Sequence, residues 1–100
     1  MTYIVRIDLL DAESEDHDRF HEALKAGGFS DTIYANDNSV YQLPTGEYWI
    51  ESDFKIDQML AKSIVAARLS LKKYRILVTE SKAIAWEGLE PAGTESNLSK

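Results

Sequence analysis

Between Tyr3 and Leu9, Tyr3, Val5, Ile7 and Leu9 alternate with Ile4, Arg6 and Asp8, the two-residue period of a strand whose faces meet different surroundings. A helix, a hairpin, a second helix and a last strand follow in that order, and few folds accommodate the succession. Phe20, Ala23, Leu24 and Gly27 fall at helical spacing between Ser14 and Gly27, and Gly27-Gly28 supplies the stop. The acids Asp11, Glu13, Glu15, Asp16 and Asp18 lie before or within the first turn, where the positive end of the helix dipole favours them.

Residues 31–43 read as a strand interrupted at Asn36-Asp37-Asn38, which tolerate left-handed backbone angles. Pro44-Thr45-Gly46 reverses the chain, and residues 47–52 alternate again, with Tyr48 and Ile50 facing one way and Glu47, Trp49 and Glu51 the other. Asp53 is placed to cap a second helix whose Ile56, Met59, Leu60, Ser63, Ile64 and Ala67 form one core-facing stripe. Tyr74, Ile76 and Val78 open the last main strand, and residues 83–86 could add a short fifth strand at an edge. Right-handed connections then give an α+β, ferredoxin-like βαββαβ domain over residues 1–90. Its four-stranded antiparallel sheet carries both helices on one face. Residues 91–100 turn polar and read as a disordered tail.

Strand parity puts Ile4, Arg6, Asp8, Trp49 and Glu51 on the face without helices, with Arg75, Leu77 and Thr79 beside them. Large apolar residues among charges on such a face mark a surface that something covers. A homodimer contact through Ile4, Trp49 and Leu77 is the expectation. Base stacking on Trp49 is disfavoured because Glu47 and Glu51 flank it.

The net charge is −6, yet residues 1–50 hold ten acids and three bases while residues 51–100 hold seven acids and eight bases. Lys62, Arg68, Lys72, Lys73 and Arg75 form a run without an acid, the surface for a phosphate backbone. With no cysteine, no disulfide or thiolate metal site can form, which fits a cytoplasmic setting. The chain enters its first strand directly, so no signal peptide is read, and no stretch is apolar enough for a membrane span. Neither a cofactor nor a DNA partner is expected.

His17 and His21, four apart on one helix, could face one metal ion, but no third ligand is evident and no metal site is assigned. Asp8 ends a central strand, where two copies meeting across a twofold axis could hold a divalent ion. The bland reading of Asp8 is a surface carboxylate paired with Arg6. No Ser-His-Asp set, Walker loop or glycine-rich phosphate loop is present.

Thr2-Tyr3-Ile4-Val5 with Asp8, Gly28-Phe29-Ser30, and Gln42-Leu43-Pro44 leading into Tyr48-Trp49-Ile50 resemble the GhoS-type antitoxins. These small ferredoxin-like proteins group with the CRISPR adaptation nucleases and SinR-like proteins, and the resemblance spans roughly residues 2–80. It implies a cytoplasmic, RNA-directed endoribonuclease acting on single-stranded toxin messenger RNA. Arg19 and His21 stand where the family carries first-helix arginines, and Asp8 matches the aspartate ending the first strand. The resemblance thus makes Arg19 the phosphate contact, His21 the acid or base and Asp8 a further catalytic candidate, with Arg68, Lys72, Lys73 and Arg75 guiding the RNA. The alternative is a non-catalytic homodimeric interaction module that buries its open sheet face.

Overall fold

The computed structural model describes residues 1–92. Its elements are β1 (Thr2–Leu10), α1 (Ser14–Ala26), β2 (Thr32–Tyr34), β3 (Val40–Gln42), β4 (Glu47–Glu51), α2 (Ile56–Arg68) and β5 (Lys73–Ser81). β1 lies between β4 and β5 in a three-stranded antiparallel sheet, while β2 and β3 form a separate two-stranded one. The domain is therefore α+β with antiparallel sheets.

The expected four-stranded sheet is replaced by three strands and a hairpin, and the cause is local. Asn38 adopts a left-handed backbone (φ 70°), Ala35 N–H donates to Ser39 O at 2.8 Å, and Asp37 Oδ1 accepts from Ser39 N–H at 2.9 Å. What reads as one interrupted strand thus folds back on itself as β2 and β3. Its only ladder link to β4 among the described residues is the Ser30–Trp49 bridge.

Both helices cover the sheet face carrying Tyr3, Val5, Ile7, Tyr48 and Ile50, and Phe20, Leu24, Phe29, Met59, Ala66 and Ala67 complete the core. α1 ends at Gly27 as expected. α2 begins two residues later than an Asp53 cap would place it, with Lys55 at the cap position. Its buried stripe is Met59, Ser63, Ala66 and Ala67, whereas Ile56 and Leu60 are exposed, so the stripe is rotated and narrower than the sequence suggests. Ser63 is accommodated in the core because its hydroxyl donates to Met59 O at 2.9 Å.

Residues 83–86 form no strand. Leaving β5, this segment joins Thr2 and Trp49 in lining a pocket on the helix-free side of the sheet, and Trp86 packs on Tyr41 with ring centroids 5.7 Å apart. Gln42 N–H then donates to Glu90 O at 2.8 Å, Ala92 N–H donates to Val40 O at 2.9 Å, and Pro91 bridges Tyr41. Pro91 and Ala92, read from sequence as the start of a tail, thus lie along β3; the rest of that expected tail lies outside the described residues. No described helix is long and apolar enough to cross a membrane.

Candidate functional site

A cleft of about 670 Å³ opens at the end of the sheet where β1 finishes and β4 begins. Asp8, His17, His21, Asp31, Glu47, Tyr48 and Arg75 all line it, drawn from five parts of the chain. The turn into β4 closes tightly here. Gly46 has φ +87°, and an added Cβ would stand 3.2 Å from Ile7 O and 3.3 Å from Asp8 Oδ1, so glycine is required by backbone angle and by space.

The ordered centre of the cleft is His21. Its Nε2 lies 3.2 Å from Asp31 Oδ2 and its Nδ1 lies 3.3 Å from the Tyr48 hydroxyl. Asp31 is held in turn, because its carbonyl accepts from Leu43 N–H at 2.9 Å and from Gln42 Nε2 at 2.8 Å. Tyr48 is buried on the core face of β4, and burial, reinforced by the Asp31 charge, raises its pKa above the ordinary tyrosine value. The hydroxyl therefore keeps its proton and can donate to Nδ1, which leaves Nε2 on the side of the Asp31 carboxylate. In this arrangement the imidazole is both a satisfied partner for a buried hydroxyl and an acceptor oriented by a carboxylate.

Asp8 forms the rim on the helix-free side. It stands opposite Arg75 in the β1–β5 register, 3.8 Å from that guanidinium and 3.6 Å from Arg6 Nε. Arg6 also reaches Glu47 at 3.5 Å. These are long, solvent-washed contacts that fix little geometry, so Arg75 remains available to an incoming anion.

The structure brings His21, Asp8 and Arg75 to one cleft and leaves Arg19 out of it. Residues two apart on a helix point about 200° apart, so Arg19 and His21 cannot act as neighbours. Arg19 instead donates to Asp16 Oδ1 at 2.7 Å. The expected cationic track is divided as well. Lys72 turns to Asp16 at 3.6 Å, Arg68 ends α2, and Lys73 and Arg75 lie on β5. Of the residues expected to form a dimer contact, Leu77 is 64% exposed, whereas Ile4 and Trp49 are half-buried.

Asp31 and Tyr48 are the members that sequence reasoning missed. Asp31 reads as the first residue of a strand and belongs to no motif, whereas β2 starts only at Thr32, and the parity of β4 assigns Tyr48 to the core. Only the requirement that a buried tyrosine hydroxyl find a partner pointed further. Among the described residues, no three histidine, aspartate or glutamate side chains are grouped so as to hold a metal ion. No protein-family model and no curated protein matches the chain.

Proposed function

We propose that this chain is a GhoS-like, RNA-directed regulatory protein of the cytoplasm, an endoribonuclease antitoxin that cleaves single-stranded toxin messenger RNA in the His21 cleft. On this reading the fold is a ferredoxin-like one whose fourth strand has become the β2–β3 hairpin. The observation that carries the proposal is the His21 imidazole held between Asp31 and Tyr48 in a cleft that also contains His17 and Arg75.

Cleavage within RNA needs a base for the 2′-hydroxyl, charge stabilisation at the phosphate and an acid for the departing oxygen. His21 Nδ1 takes the 2′-hydroxyl proton, in place of the tyrosine contact or through the Tyr48 hydroxyl, while Asp31 stabilises the imidazolium. The 2′-oxygen bonds to phosphorus as the bond to the 5′-oxygen breaks. His17, protonated, supplies the proton that oxygen needs, and Arg75 faces the phosphate. Asp8 lies beside Arg75 at the rim.

The test is cleavage of single-stranded RNA by purified protein with chelator present. His21→Ala and His17→Ala should each lower the rate by about 10²–10⁴-fold, the usual worth of a positioned acid or base. Asp31→Asn should lower it too, Arg19→Ala should leave it unchanged, and a 2′-deoxy nucleotide at the scissile position should block it. Absence of RNA binding even at low salt overturns the proposal. One observation favours the second reading, a non-catalytic homodimeric module: Asp8, Asp31 and Glu47 together make the cleft a poor host for a polyanion. That reading requires no cleavage and a stable dimer.

A further inference from the structure

The geometry points to a docking surface for a second copy of this chain along the outer edge of β5 and the adjoining flank of α2, away from the His21 cleft. The direction of the peptide groups follows from one bridge. Trp49 exchanges both backbone hydrogen bonds with Ser30, at 2.7 and 2.9 Å, so its groups point away from β1. Ile4, opposite Trp49, therefore directs its own groups toward Thr79 on β5. By alternation Arg75, Leu77 and Thr79 face β1, while Tyr74, Ile76, Val78 and Glu80 present N–H and C=O outward. Among the described residues, no backbone partner meets these four.

This edge is nine residues long, has no proline or glycine, and pairs with β1 in unbroken register. Of the usual devices that discourage edge pairing it has charges alone, at Lys73, Arg75 and Glu80, and its register shows no bulge. Its core-facing Tyr74, Ile76 and Val78 are only half-covered, whereas Tyr3, Val5 and Ile7 on β1 are buried. The helix above continues the same apolar strip. Lys62 marks the flank of α2 that faces the end of α1, since a Cβ at Gly27 would stand 3.6 Å from Lys62 Cε and the ammonium lies 5.7 Å from the Phe29 ring that follows. Leu60 is about 160° around the helix from Lys62, and it and Ile56 are 39% and 42% exposed on that opposite flank.

Strip and edge share one axis. Leu60 lies about 12 Å back from the end of α2 and Leu77 about 13 Å into β5, so the two are level. A twofold axis at Leu77 pairs Ile76 with Val78 and Tyr74 with Glu80 of the other copy, each pair made of outward-facing residues, as antiparallel hydrogen bonding demands. The same axis sets Leu60 against Leu60. Lys73 and Arg75 then fall beside Ser81 and Thr79, with no like charges opposed. A foreign peptide could use the edge alone, whereas a second copy matches edge and helix about the same axis. The product is a continuous six-stranded sheet.

Sedimentation of the wild-type chain at high concentration should give twice the mass of one chain. Leu60→Glu and Leu60→Lys should each sediment as folded monomers, their folding checked by circular dichroism, and mixing the two should restore a dimer. Hydrogen exchange should show the Ile76 and Val78 amides protected in wild type and unprotected in Leu60→Glu. His21→Ala should dimerise normally, so failure of the nuclease reading leaves this one standing. A monomeric wild type, or a dimer dissolved by Trp49→Glu and unaffected by Leu60→Glu, overturns it; the latter result assigns the contact to the helix-free sheet face.

Discussion

Asp16 gathers more interactions than any other carboxylate in the described chain. At the third position of α1 it accepts from Glu13 N–H at 2.9 Å, capping the helix start, and it also meets Arg19 at 2.7 Å and Lys72 at 3.6 Å. The Glu13 backbone bond is the largest cause of its lowered pKa; the Lys72 and Arg19 charges add to it against the opposing effect of burial. A carboxyl whose pKa is depressed on folding stabilises the native state fully above its unfolded value of about 3.9, and the gain is lost as pH falls through the folded value. Asp16→Ala should therefore lower the melting temperature at neutral pH, and the gap between variant and wild type should close as thermal melts are taken below about pH 4. In the sequence Asp16 is one of five neighbouring acids, all equally suited to the helix dipole. Nothing local tells it from Glu15 or Asp18, because its partner Lys72 is supplied by the turn between α2 and β5. Arg19 is misread for the same reason: a free arginine and one tied to Asp16 look alike until the helix faces are resolved.

Among the elements, those with a complete local pattern were legible and those decided by one backbone angle were not. β1, β4, β5 and the Gly27 end of α1 follow from alternation, periodicity and a glycine stop. The β2–β3 hairpin does not, since Asn36-Asp37-Asn38 permits a bulge or a reversal and the choice rests on Asn38. The α2–β5 turn shows the same dependence on backbone angle. Leu71 holds φ at 61° and is 88% exposed, a branched side chain in a conformation that costs an L-residue about 1–2 kcal/mol and without burial to offset it. Leu71→Gly should raise stability by about 0.5–1 kcal/mol, read as a shift in the denaturation midpoint with unchanged slope. An unchanged or lower midpoint would mean that the strain is absent. The candidate site divides along the same line. His21 and Asp8 stand out by residue type, whereas Asp31 reaches the imidazole only because the hairpin folds back and Leu43 and Gln42 hold its carbonyl.

For the whole molecule, the three-stranded sheet and the hairpin form one body largely because the chain after β5 returns to the hairpin. Trp86 packs on Tyr41, Gln42 N–H is satisfied by Glu90 O at 2.8 Å, and the Ser30–Trp49 bridge supplies the ladder contact from the other side. A two-stranded hairpin is marginal alone and needs such cover. Ending the chain at Ser81 removes the aromatic contact and leaves the Gln42 and Val40 peptide groups unpaired, at about 1–3 kcal/mol for each such group that becomes buried without a partner. Melting temperature should fall, and the Gln42 amide should exchange faster while amides of β1 keep their protection. The same truncation slackens the support under Asp31, since Gln42 and Leu43 both bond its carbonyl. Any RNA cleavage by the His21 cleft should drop with it, although no residue of the cleft has been altered. Trp86→Ala, which removes only the ring contact on Tyr41, should lower the melting temperature less than the truncation does; if the Gln42 amide stays protected in the chain ending at Ser81, the contacts of residues 82–92 are not what holds the hairpin in place.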